Sequence, residues 1–393
     1  MRTITTLLLS TFLITSLFAS QENNSTQEVD LFTSKDDGKF DVSEYLKTKY
    51  GFLPVPIVIT EPAVGYGGGA SLLFLHDTLG SSLVRKSPPD MSGVAAFATE
   101  NGTWIGAAFH LGYWLDDTIR STTSAGAFSI NMNFYPIGNI GVDLNFKGYF
   151  AYQELMFRIS DSNFFLGGNY VYSDNTIKLN DEQSSSPLVD KIIKPVQMGA
   201  LSGIVQYDSR DTTFTPSQGL FAKLNLRRFD NTFGGNENFW RYGAKAFYFI
   251  PAHKRLVIGL RAEGEAVDAN NNDRIPIYSY PAIVMRGIPA ARYQGEKMLL
   301  AELQLRWEFI KRWNLVAFGG GGKVFGTKET EILNTIVSHS TSFSDADFHP
   351  AGGLGFRYEL ARKFGLWGGM DFATSEENNF AFYFTVGSAW GAF

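Results

Sequence analysis

The residue with the most chemistry to offer is an arginine, Arg286, held in a Met-Arg-Gly-Ile tetrad (Met285 to Ile288) within a loop that also carries proline and glycine. A planar guanidinium can engage two carboxylate oxygens at once, and that pairing is strongest where water is scarce. The other reactive residue types are thin. No cysteine is present, which excludes disulfides and thiol chemistry. Of His76, His110, His253, His339 and His349, only His339 has flanking serines; it falls in a segment that reads as a loop with no orienting acid, and no G-x-S-x-G elbow occurs. No enzyme is expected, and a hydrolase is the least favoured reading. VAFGGGGKVF lacks the G-K-[ST] ending of a phosphate loop and reads as a kinked strand. DANNND, Asp268 to Asp273, lacks the glycine and the closing glutamate of a calcium loop. Neither a metal nor another cofactor is expected.

What must position Arg286 is the strand that follows it. Leu299, Ala301, Leu303, Leu305 and Trp307 alternate there with Glu302, Gln304, Arg306 and Glu308, so one face is apolar and the other polar or charged. That suits a wall with lipid on one side and a wet lumen on the other. The same period recurs along the chain. Arg241 and Lys245 oppose Trp240, Tyr242 and Tyr248; Arg261, Glu263 and Glu265 oppose Leu260 and Ala262; Arg357 opposes Phe356 and Tyr358. These charged residues are candidate lumen-lining groups, with Lys223, Arg227 and Arg255 beside them. A soluble sandwich also alternates, but connection lengths argue against it. Long segments at 180–197, 268–297 and 326–347 fall on one end, whereas tight turns such as Lys311-Arg312 and Arg362-Lys363 fall on the other.

Composition agrees. The 34 Phe, 17 Tyr and 40 Gly match the aromatic girdles and glycine kinks of a closed barrel, and a net charge of -5 without a basic stripe argues against nucleic acid. Residues 1–20 read as a secretory signal: Arg2, an apolar run from Leu7 to Leu17, and a small-residue cleavage site at Ala19-Ser20. The expected organisation is a signal peptide at 1–20, a periplasmic tail at 21–51 with a short helix capped by Asp41 or Ser43, and an outer-membrane barrel at 52–393. The fold class is all-β: a transmembrane antiparallel barrel of about sixteen strands. The sixth strand is placed at 146–160, with 139–161 holding one strand or two, the thirteenth at 313–325 and the last at 379–393, where Gly387 and Gly391 leave few side chains to pack.

The tetrad, its following strand, YDSRDTTFTPSQGLFAKLNL at 207–226, FRYELARKFGLWGGMDFA at 356–373 and the terminal Phe393 together resemble the BamA/TamA family of outer-membrane barrels, the bacterial surface antigen superfamily. The resemblance implies a long extracellular loop that folds into the lumen, where Arg286 and Gly287 form a lock with Glu302 and Arg306. Glu302 is the first carboxylate candidate, and Glu263, Glu265 and Glu308 are the others. The first and fourth tetrad positions depart from the family's V-R-G-F form, and FGGGG at 318–322 stands where the family often has F-x-D-x-G. No polypeptide-transport repeat fits within 21–51, so the sequence reads as a barrel-only member.

The function implied is insertion or translocation of protein or lipid in the outer membrane of a Gram-negative bacterium, with the lumen plugged by the loop. The partners implied are outer-membrane lipid and either a periplasmic protein or a second copy. The alternative is a passive porin-like channel for small polar solutes.

Overall fold

The computed structural model describes residues 31–390 apart from 79, 81–88, 138–139, 181–195, 270–274, 333–334 and 377–379. The expected signal segment and Phe393 lie outside the described residues.

The chain runs as an antiparallel meander of β1 (Gly51–Ile59), β2 (Gly67–Leu75), β3 (Met91–Thr99), β4 (Trp104–Trp114), β5 (Ile119–Ile137), β6 (Ile140–Arg158), β7 (Phe164–Leu179), β8 (Val196–Asp208), β9 (Gly219–Phe229), β10 (Phe239–His253), β11 (Leu256–Asp268), β12 (Lys297–Ile310), β13 (Trp313–Ile332), β14 (Thr335–Thr341), β15 (His349–Ala361), β16 (Leu366–Ser375) and β17 (Phe380–Val386). Sixteen of these form the wall of a nearly closed barrel. The extra one, β14, pairs only with the outer part of β13, from Gly326↔Thr341 to Ile332↔Thr335, while the inner part of β13 pairs onward with β15. The segment 326–347, which reads as a loop, is thus largely a projecting hairpin. One strand, β6, occupies 140–158.

Inward and outward faces follow the two-residue period. On β12, Leu303 and Trp307 are 43% and 51% exposed on the outside, while Glu302 and Arg306 are 4% and 7% exposed within. A soluble protein reverses this arrangement; a barrel in lipid requires it, since apolar side chains meet hydrocarbon and the polar set meets the lumen. Exposed Phe52, Trp114, Phe157, Trp307 and Trp313 mark one rim, and Trp104, Phe348 and Phe380 the other. No helix among the described residues is long and apolar enough to cross a membrane. The chain crosses with strands.

Residues 31 and 390 lie at the same end, the periplasmic one for barrels of this kind. Connections at the opposite, extracellular end include 269–296, the longest. One periplasmic connection, 76–90, is not short, so the segregation of lengths is incomplete.

Two terminal segments close on the periplasmic rim. Residues 31–48 carry the six-residue helix α1 (Ser43–Thr48), which starts from Val42 with no side-chain cap; Asp41 instead accepts from the Ser43 N–H at 2.8 Å. The fully buried Arg312 of the β12–β13 turn donates to Asp37 at 2.6 Å and to the Phe40 carbonyl at 3.0 Å, and lies 3.1 Å from Asp41. Leu46 packs with Leu75, Ala361 and Phe364. At the other terminus the expected strand at 379–393 ends early, because Gly387 takes φ +82° and sends the chain off the sheet. Trp390 then packs against Phe221, Phe247 and Phe249 of β9 and β10, across the barrel. Gly387 therefore serves a turn and does not thin the final strand.

The seam is the open element of the fold. Each wall strand from β1 to β17 has a ladder with its neighbour in the meander, but among the described residues no ladder joins β1 to β17.

Candidate functional site: the inward loop and its lumenal charge cluster

The loop between β11 and β12 doubles back on itself before entering β12. Its two arms are clasped by Ile283 N–H to the Tyr293 carbonyl at 3.1 Å and Gly295 N–H to the Pro281 carbonyl at 3.1 Å. Ile283, Met285 and Ile288 are buried against Met298, Leu300 and Ala351, which ties the loop to the lumenal wall. The two tetrad positions that depart from the family form are thus both apolar anchors. Side chains of similar volume and polarity fill such sites at small cost. Between them Gly287 adopts φ +95°, and a Cβ there would sit 2.9 Å from the Thr374 carbonyl oxygen. Only glycine fits both demands.

This turn delivers Arg286 into a dry charge cluster. Its Nη2 donates to Glu302, in a short contact, and to Gln304 Oε1 at 3.0 Å; its Nη1 donates to Asp371 at 2.7 Å. The guanidinium lies 3.6 Å from the centre of the Phe318 ring, close enough for a cation–π contact. Arg357 holds Asp371 with two bonds of 2.8 and 2.7 Å, and Arg261 bridges Glu302 at 3.1 Å and Glu263 at 2.9 Å. Three guanidiniums and three carboxylates therefore balance, and the Glu302 and Asp371 side chains are 1% and 0% exposed. Losing one partner of such a buried set leaves an uncompensated charge, which costs about 3–5 kcal/mol.

The loop also reaches both sides of the seam. On the β17 side, the Gly287 N–H donates to the Tyr383 hydroxyl at 3.0 Å. On the β1 side, the Ala290 N–H donates to Glu61 in the β1–β2 turn at 3.0 Å. Burial pushes the Glu61 carboxyl above the usual range, with the bonds from Ala290 and Ala63 opposing it. At the outer edge, His349 Nδ1 and the Tyr293 hydroxyl both meet Glu376, at 2.6 and 2.8 Å.

The residues singled out from sequence fall into three groups. Arg286, Gly287 and Glu302 come together. Arg306 does not join them: it lies further toward the periplasm and donates to the Pro216 carbonyl at 2.9 Å and Ser217 Oγ at 3.0 Å, holding the β8–β9 turn in the barrel mouth. Nor do the other weighed acids reach Arg286. Glu263 pairs with Arg261 and Glu265 with Arg241, while Glu308 accepts from the Arg312 N–H at 3.3 Å beside the turn. Arg241, Lys245, Arg261, Glu263, Glu265 and Arg357 occupy the inward register positions, whereas Arg255 stands exposed in the β10–β11 turn. The backbone of His339 belongs to β14 and not to a loop.

Sequence reading missed Asp371, Arg357 as its partner, and Tyr383. One signal was present. In GGMDFA, Asp371 shares the small-residue face of Gly369 and Ala373 while Met370 and Phe372 take the other, so a lone acid sits on an inward face. The acid absent from FGGGG is supplied from β16.

Fold and site together define a class: an outer-membrane-type β-barrel with an inward-folded loop pinned by buried ion pairs. The Omp85 superfamily domain matches residues 92–280. Over that stretch the chain is similar to the Omp85 superfamily. The matched stretch ends before the tetrad, so the loop's contacts stand on the structure alone. Among solved structures, BamA from Haemophilus ducreyi lacking POTRA domains 1–3 is similar at 12% identity and TM-score 0.56, covering 86% of this chain and 70% of that one. CdiB from Acinetobacter baumannii is similar at 12% identity and TM-score 0.50, with 86% and 59% covered, and CdiB from Escherichia coli at 13% and 0.52, with 84% and 61% covered. This chain thus spans about six-tenths of the CdiB chains. At these identities the likeness concerns the fold. No curated protein matches the sequence significantly.

Proposed function

We propose that this barrel inserts or translocates protein or lipid at the outer membrane of a Gram-negative bacterium, and that the 269–296 loop is a plug locked by Arg286. The observation that carries this reading is the loop's double attachment: it bonds Tyr383 on one side of the unladdered seam and Glu61 on the other, while Arg286 anchors it to the wall between β12 and β16. Withdrawing the loop would remove the crosslinks over the seam and the filling of the lumen in one movement. A passive porin requires a lumen open along its length. Here the extracellular half holds the loop and the periplasmic mouth holds the β8–β9 turn and Trp390. Clients and a periplasmic partner protein or second copy belong to this reading by analogy with the superfamily.

Planar-bilayer recording tests it. The intact barrel is expected to be nearly silent and a variant lacking 281–295 to conduct steadily. Large steady conductance from the intact protein would establish the passive pore instead.

A further inference from the structure

Three polar side chains stand together on the lipid-facing wall beside the seam. His76 follows directly on β2, Ser92 is the second residue of β3, and His110 lies near the end of β4. Phe74, Ser92 and His110 occupy one row of the sheet, paired Phe74↔Ser92 and Ser92↔His110. Leu72, Val94 and Trp114 on this outward face are apolar and exposed, and the row continues from His110 to the polar Thr123, which donates to Gln153. The rings converge on one oxygen, His76 Nε2 at 2.8 Å and His110 Nδ1 at 2.9 Å from Ser92 Oγ. A hydroxyl has one proton and two lone pairs, so it donates to at most one ring and accepts an N–H from at least one. Neither ring's second nitrogen makes a hydrogen bond among the described residues.

The height of this group decides its meaning. It stands at the periplasmic rim, with His76 5.1 Å from the Phe74 ring, Phe52 5.0 Å beyond that, and Trp114 6.5 Å from His110. Such an aromatic row marks the head-group level of a bilayer. Deeper in hydrocarbon, three outward polar side chains would carry a desolvation cost without return. At the head-group level a phosphodiester supplies an acceptor for the imidazole N–H that Ser92 leaves free.

We propose that His76, Ser92 and His110 form a head-group site for a phospholipid of the periplasmic leaflet. The phosphodiester lies against the two imidazoles and the hydroxyl, and the acyl chains run up the wall over Leu72 and Val94. The site sits one strand from the β1 edge of the seam, where a held lipid would border any lateral opening. It depends only on the placement of the wall in a bilayer, so it stands or falls separately from the plug.

Native mass spectrometry of the full detergent-solubilised chain tests this, titrating phosphatidylglycerol, diacylglycerol of the same chain length, or inorganic phosphate. One retained phosphatidylglycerol is expected, with no comparable diacylglycerol adduct and no displacement by millimolar phosphate. H76N/H110N together should weaken retention by about tenfold, the usual worth of a hydrogen bond to a charged group. His253→Asn, an exposed histidine at the same end of the barrel, should bind as the native chain does. Should the double variant fail to assemble, S92A removes only the bridging hydroxyl and should weaken retention by about threefold. Equal retention by native and S92A chains, equal uptake of diacylglycerol, or displacement by phosphate overturns the site.

Discussion

Arg286 is the residue on which the most interactions converge, and its geometry dictates which substitutions should matter. Its two terminal nitrogens serve two carboxylates on different strands, a task that a single ammonium cannot reproduce. Arg286→Ala should therefore destabilise the barrel by about 3–5 kcal/mol, seen as loss of the compact, heat-resistant band in gel mobility, and Arg286→Lys should recover only part of it. Asp371→Asn should resemble Arg286→Ala, because Arg357 and Arg286 both depend on that acid; native mobility in D371N would contradict the cluster. Gly287→Ala should cost about 1–3 kcal/mol through strain at φ +95° and the nearby Thr374 carbonyl, read as a lowered unfolding midpoint in urea. An unchanged midpoint would show that the turn relaxes freely.

At the scale of elements, the strands with one lipid face were legible and those without were not. In β12 the alternation of Leu299 to Trp307 against Glu302 and Arg306 specifies both the strand and its inward face. The sequence of the outer part of β13 and of β14, residues 326–341, mixes Thr, Lys, Glu and Ser with Ile332, Ile336 and Val337 without strict alternation, so period two gives no signal there. The last strand misled for a different reason. Its aromatic character continues through Trp390, yet the backbone turns at Gly387, and a left-handed φ leaves no mark in a hydropathy pattern. Asp371 was visible as a residue but not as a partner, because β12 and β16 meet Arg286 only once the loop folds inward.

The N-terminal segment also makes an element-scale prediction. Arg312 beside Asp37 holds that carboxyl well below the usual range. A depressed acid contributes stability that is present above its unfolded value and lost as pH falls through the lower folded one. Docking of 31–48 should therefore persist through mildly acidic pH and fail only in strong acid. Limited proteolysis should leave this segment intact at pH 5 and at pH 7 in the native chain, and cut it readily at both in Arg312→Ala. Release of the native segment already at pH 5 would contradict the pairing.

For the whole molecule, the arrangement is a wall without a ladder at one seam, closed by pieces that are not part of the wall. The β8–β9 turn, Trp390 and residues 31–48 gather at the periplasmic mouth, and the inward loop spans the extracellular half. The fold was legible from period and connection length, whereas the crosslinking of the seam by the loop was not, since Glu61 and Tyr383 lie far from Arg286 in sequence. The most direct test is a distance across that seam. The chain lacks cysteine, so spin labels can be placed cleanly at the outward-facing positions Val58→Cys and Phe384→Cys. Double electron–electron resonance should give one narrow distance in the otherwise native barrel, and a longer or broadened distribution once Arg286→Ala frees the loop. An identical narrow distance in both would show that the loop does not hold the seam.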